Sequence, residues 1–153
     1  MSEKINKNLP LNHNCKISII GIGYVGLPLA IEFAKTKVCK RTGDNLDRQI
    51  FGFDINKNRI EQLKDCYDCT LEIDEYEKDY LKIIKFTDKL KDIIDSDVYI
   101  ITVPTPIDAQ KIPNLQPLDS ACRTVAQCMI NSSKDGNQTK KIIIFESTVY
   151  PGA

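Results

Sequence analysis

The chain has 153 residues and balances 21 lysines and arginines against 21 aspartates and glutamates. That length fits one domain with one substantial core and is short for a complete enzyme that must hold two large ligands. With balanced charge and no polybasic block, neither nucleic acid nor a membrane is expected as a partner, and no apolar run approaches the roughly 20 residues of a membrane span.

Residues 1–14 are polar and rich in Asn and Lys. They lack the apolar core of a signal peptide and are expected to form a flexible tail ahead of a domain over residues 15–153. A cytoplasmic chain with reduced thiols is the corresponding expectation for the six cysteines, Cys15, Cys39, Cys66, Cys69, Cys122 and Cys128. Cys66 and Cys69 have C-x-x-C spacing, half a zinc site at best, and no metal is assigned to them; the plain reading is two thiols in a helix-to-helix connection.

Lys16 to Ile20 is a short β-branched run that reads as a buried strand. Leu27 to Lys37 reads as a helix with Leu27, Ala30, Ile31 and Ala34 on one face, and Pro28 is tolerated in its first turn. Residues 38–49 read as a polar surface insertion with a turn at Gly43-Asp44-Asn45. A second strand spans Ile50 to Asp54, a helix Asn56 to Lys64, and a more acidic helix Leu71 to Leu81. Lys82 to Thr87 is an edge-like strand and Asp88 to Ile94 a short helix. Asp97 to Val103 is the clearest strand of the second half, stopped by Pro104 and Pro106. A helix over Leu118 to Asn131 and a last buried strand over Lys141 to Phe145 complete the pattern, with Glu146 to Gly152 as the exit loop. Strands that alternate with helices and are apolar throughout predict an α/β fold of the Rossmann type, a doubly wound parallel sheet in three layers.

Gly21-x-Gly23-x-x-Gly26 is a weak signal alone, but here it follows a strand and opens a helix. Gly21 allows the tight turn, Gly23 lets the backbone approach a pyrophosphate, and Gly26 lets helix and strand pack closely. The amides of this turn, through Tyr24 and Val25, and the helix dipole favour the anion. Asp54 closes the next strand, where a carboxylate accepts hydrogen bonds from adenosine ribose hydroxyls and repels a 2′-phosphate, so NAD is favoured over NADP. The insertion at 38–49 accounts for a spacing longer than usual. Arg59 complicates the choice, since a nearby arginine can receive a 2′-phosphate; its plain reading is a solvated helix residue. Beyond the later strands, Thr105, Ser147 and Thr148 offer hydroxyls in loops that could equally be ordinary strand exits.

Five segments, 21–30, 52–60, 102–108, 113–118 and 146–152 (Glu-Ser-Thr-Val-Tyr-Pro-Gly), resemble the UDP-glucose/GDP-mannose dehydrogenase family, in order over about residues 15–153. They are most similar to its UDP-N-acetylhexosamine branch, which acts on UDP-ManNAc or UDP-GalNAc. The resemblance implies oxidation of a sugar C6 alcohol to a carboxylate in two NAD-dependent steps, through a thiohemiacetal and a thioester on a cysteine, in polysaccharide precursor synthesis. It implies that Asp54 and Arg59 bind the adenosine side of NAD, that Val103, Pro104 and Thr105 lie along the dinucleotide, that Ser147 also contacts the cofactor, and that Thr148 lies near the nicotinamide. Thr148 is the catalytic position it carries over, helping to order the hydrolytic water. The family's nucleophilic cysteine lies in a motif that none of the six cysteines here matches. The resemblance further implies a central helix and a UDP-binding domain in a longer protein, the UDP-sugar bound mainly there, and a homodimer. Two rivals remain: a stand-alone NAD-sensing or regulatory module, and a methyltransferase, against which the glycine spacing and the Thr-Pro and Ser-Thr loops argue.

Overall fold

The computed structural model describes residues 9, 10, 13–107, 113–134 and 140–149. Most of the tail 1–14, residues 135–139 and the exit loop beyond Val149 lie outside them. Five strands, β1 (Lys16–Ile20), β2 (Gln49–Phe53), β3 (Lys85–Thr87), β4 (Val98–Ile101) and β5 (Ile142–Phe145), form one sheet in the order β3-β2-β1-β4-β5. Every pairing is parallel. The order reverses between β1 and β4, which is the topological switch point of a doubly wound sheet.

The residue parity of the strands sorts the core. Ile17 and Ile19 of β1, Ile50 of β2 and Ile100 of β4 pack in one buried cluster with Leu27, Ala30, Ile31 and Ala34 of α1 (Gly26–Lys35) and Ile60 and Leu63 of α2 (Lys57–Lys64). The alternate residues Ile20, Phe51, Phe53, Tyr99 and Ile101 pack in a second with Ala121, Val125 and Cys128 of α4 (Gln116–Lys134). Because successive side chains of a strand point to opposite faces, these two clusters are the two sides of a three-layer fold. Gly52 sits where a Cβ would lie 2.7 Å from the ring of Phe86, its partner on β3, so its lack of a side chain is what lets that ring pack against β2.

Several expected elements are shorter. The helix expected at 71–81 is a 3-10 turn at Glu75–Glu77 followed by one turn of α3 (Lys78–Leu81). Its first residues are instead a loop tied to Asp68, with Leu71 at φ 56, and a capping box between Asp74 and Glu77 sets the start. The helix expected at 88–94 is only a 3-10 turn at Leu90–Asp92; Thr87 and Asp92 close it by a 2.5 Å side-chain hydrogen bond. The strands expected at 82–87 and 97–103 contract to β3 and β4. α4 starts two residues earlier than expected, with Pro117 in its first turn and the Asn114 side chain accepting from the Gln116 amide at 2.9 Å.

The insertion is a compact hairpin: Val38 bridges Asn45, the Gly43 amide donates to the Cys39 carbonyl, and Gly43 has φ 77. Gln49, read as its last residue, belongs to β2. His13, read as part of the tail, has its carbonyl bonded by the Asp47 amide at 2.6 Å. The last strand, expected to be buried, is not: β5 is the edge beside β4 among the described residues, and Ile143, Ile144 and Phe145 on it are exposed.

Candidate cofactor-binding site

A cleft of about 650 Å³ opens at the carboxyl ends of β1, β2 and β4. The glycine turn and Asp54 form one side and the start of α4 the other, so the cleft occupies the switch point where ligands of open α/β sheets bind.

The three motif glycines are required for different reasons. Gly21 has φ 94, a left-handed conformation that disfavours side chains. A Cβ on Gly26 would lie 2.0 Å from the Gly21 carbonyl oxygen and 2.6 Å from Thr102 Oγ1, so helix α1 reaches the turn only because that position is bare. A Cβ on Gly23 would meet nothing within 4 Å. The space before the Gly23 backbone is therefore open to a ligand, and the residues present fit a dinucleotide phosphate. α1 begins three residues later with no side-chain cap and no acidic residue in its first turn; the Leu27 amide is taken by the Gly23 carbonyl and Pro28 has none, so the Gly26 amide and the helix dipole are what the first turn leaves to an anion.

Asp54 and Arg59 build the turn as well as line the cleft. Asp54 Oδ2 accepts the Ile22 amide at 2.9 Å and Oδ1 the Asn56 amide at 2.9 Å. A carboxylate has about four acceptor sites, so each oxygen keeps one for a ligand hydroxyl. Arg59 is not solvated, as its helix position alone implied; it is buried. Its Nε donates to the Ile22 carbonyl at 2.9 Å, its Nη1 pairs with Asp68 at 2.8 Å, and its Nη2 donates to Thr70 Oγ1 at 3.1 Å. Burial pushes the Asp68 carboxyl up, but hydrogen bonds from Thr70, Arg59 and the Glu72 amide outweigh it and hold it below the usual aspartate range.

The cleft brings together Gly21, Gly23, Asp54, Arg59, Val103 and Pro104. Tyr24 and Val25 are exposed on the outside of the turn, and Gly26 is buried beneath it. Thr105, Ser147 and Thr148 do not line the cleft. They join the two later loops: Thr105 Oγ1 donates to the Thr148 carbonyl at 2.8 Å and Ser147 Oγ to the Val103 carbonyl at 2.7 Å. The Thr148 side chain is exposed.

Sequence reasoning missed two groups. Thr102 Oγ1 donates to the Gly21 carbonyl at 2.7 Å and bolts the turn to β4. Gln116, Ser120 and Thr124 line the cleft from α4; their spacing of four, with Ala121 beside them, was the legible sign of one small, polar helix face. Cys69, read as a thiol in a helix-to-helix connection, also lines the cleft.

Residues 15–153 match the profile described as the UDP-glucose/GDP-mannose dehydrogenase family, NAD binding domain. The chain belongs to this family. NAD is accordingly its cofactor. Its relatives include the UDP-N-acetyl-D-glucosamine 6-dehydrogenase of Salmonella typhi, 44% identical over 137 residues, which cover 90% of this chain and 28% of that protein. The structure of a UDP-D-ManNAc dehydrogenase from Pyrococcus horikoshii superposes with a TM-score of 0.68 at 31% identity, over 90% of this chain and 29% of the other. A GDP-mannose dehydrogenase from Pseudomonas aeruginosa, solved as a ternary complex, shares the fold with a TM-score of 0.69 at 23% identity, over 89% and 29% of the two chains. The chain thus spans under a third of the length of these relatives. Among the described residues, no helix is long and apolar enough to cross a membrane.

Proposed function

We propose that this chain is the coenzyme-binding part of a nucleotide-sugar 6-dehydrogenase that oxidises the C6 alcohol of a UDP-N-acetylhexosamine, or of UDP-glucose, to the uronic acid. The observation that carries the reading is an open helix start and Asp54 on the same wall of one cleft at the switch point, in a chain of this family.

In this reading the amides from Gly23 to Gly26 face the pyrophosphate, with Gly23 nearest, while those of Gly21 and Ile22 are held by the Phe53 carbonyl and Asp54. The two unused acceptor sites of Asp54 take the ribose hydroxyls. Arg59 holds the adenosine end of the turn in place through Ile22. Val103 and Pro104 flank the dinucleotide, and the Thr105–Thr148 and Ser147–Val103 links set the height of the loop that approaches the nicotinamide. NAD supplies the hydride acceptor. Thr148 is assigned the ordering of the water used in hydrolysis, which its exposed hydroxyl leaves it able to do. The thiol that captures the aldehyde and the groups that hold the UDP belong to further sequence, so the chain alone binds NAD without turning over. The cytoplasm, and a homodimer of the longer protein, complete the proposal.

The test is NAD reduction with UDP-GlcNAc, UDP-ManNAc, UDP-GalNAc and UDP-glucose, by this chain and by a protein that extends it. Two NAD reduced per sugar by the extended protein, and none by the chain, supports the proposal. An extended protein that binds NAD and oxidises none of the four supports a sensing module instead.

A further inference from the structure

Arg59 stands at the coenzyme cleft, where an arginine ordinarily receives the 2′-phosphate of NADP. Here its charge is already matched. Asp68, with 3% of its side chain exposed, pairs with Nη1 at 2.8 Å, while the Arg59 side chain is 8% exposed. Thr70 completes a triangle: its Oγ1 accepts from Nη2 at 3.1 Å and donates to Asp68 at 2.6 Å. Asp68 also accepts the Thr70 amide at 3.0 Å and the Glu72 amide at 2.8 Å. Four donors therefore converge on one buried carboxylate, which fixes it against Arg59. With Nε on Ile22 and Nη1 also 3.5 Å from Cys69 Sγ, the fork that would grip a phosphate bidentately is committed before a ligand arrives.

We propose that Asp68 is the positioning residue that sets coenzyme choice: by neutralising and holding Arg59, it turns a potential 2′-phosphate receptor into a brace for the glycine turn. Asp54 repels the extra phosphate, and Asp68 withholds the cation that would attract it. The proposal rests on the reading of the cleft as the NAD site.

The test is calorimetric titration of the 153-residue chain with NAD and with NADP, as wild type, Asp68→Asn, Asp68→Glu and Asp68→Asn combined with Arg59→Gln. Circular dichroism confirms the fold of each, and Asp68→Ser replaces Asp68→Asn if the amide variant does not fold. The expected result is at least a tenfold fall in the NAD-to-NADP affinity ratio in the neutral variant. Asp68→Glu keeps the preference for NAD, and the double variant restores it. A folded Asp68→Asn or Asp68→Ser chain with the wild-type ratio overturns the proposal, as does a gain for NADP that survives Arg59→Gln. A wild-type chain that binds neither coenzyme overturns the cofactor reading itself, an outcome distinct from an unchanged ratio.

Discussion

Asp54 and Arg59 hold the same residue from its two ends: Asp54 Oδ2 accepts the Ile22 amide and Arg59 Nε donates to the Ile22 carbonyl, both at 2.9 Å. Ile22 lies inside the glycine turn and packs in the α1 side of the core. The turn is therefore held by the side chains assigned to the adenosine, and by Thr102 from β4 at the Gly21 carbonyl. On the proposed reading of the cleft, a change at Asp54 or Arg59 is expected to act on the shape of the glycine turn as well as on the contact with the coenzyme.

The glycines separate folding from binding. Gly26→Ala is expected to destabilise the chain by about 1–3 kcal/mol or more, the usual cost of overpacking, because the added carbon falls 2.0 Å from a backbone oxygen. Gly23→Ala meets no atom within 4 Å and is expected to change stability by less than about 0.5 kcal/mol, yet to weaken NAD binding at least tenfold. Thermal melts read the first effect and titration with NAD the second.

Acid should loosen the Arg59 anchor. The folded-state pKa of Asp68 is depressed, so its contribution is fully present above the ordinary aspartate value of about 3.9 and is lost as pH falls through the folded value. Stability measured by urea unfolding should drop below that point. Asp68→Asn should be less stable at neutral pH and show a shallower loss in acid.

Cys69 gives a reporter of occupancy. It is exposed and lines the cleft, whereas Cys39 sits in the 38–49 hairpin away from it. The Thr42 hydroxyl hydrogen-bonds the Cys39 thiol and lowers its pKa, so Cys39 alkylates readily and serves as internal reference. NAD is expected to slow iodoacetamide labelling of Cys69 several-fold, read by mass spectrometry, and to leave Cys39 unchanged.

The β5 edge should make the isolated chain self-associate. Phe145 is 54% exposed beside Ile143 and Ile144, and an exposed apolar edge strand is a template for pairing. Sedimentation should show concentration-dependent association that Phe145→Ser together with Ile144→Thr reduces.

The sheet and the glycine turn were legible because periodicity and motif spacing are local. Lys16 to Ile20 and Ile142 to Phe145 are β-branched runs, and each motif glycine carries a distinct backbone demand. The helices expected at 71–81 and 88–94 were overestimated because side chains outside the periodic pattern shape those segments: Asp68 caps the loop before Glu75, and Thr87 and Asp92 close the turn before β4. The plain alternative for Arg59, a solvated helix residue, fails because its partner Asp68 stands in a loop, at a spacing that no helix or strand rule connects. The α4 wall was missed because Ser120 and Thr124 look like ordinary surface residues until the fold turns them towards the glycines.

The most direct test of the NAD assignment is titration of the 153-residue chain with NAD, with Asp54→Ala in parallel and NADP as control. Loss of the ribose hydrogen bonds, each worth about 1.5–3 kcal/mol to a charged acceptor, together with a loosened Ile22, predicts a fall of at least tenfold in the variant and weaker NADP binding by wild type. A folded Asp54→Ala chain that binds NAD as tightly as wild type would contradict the account.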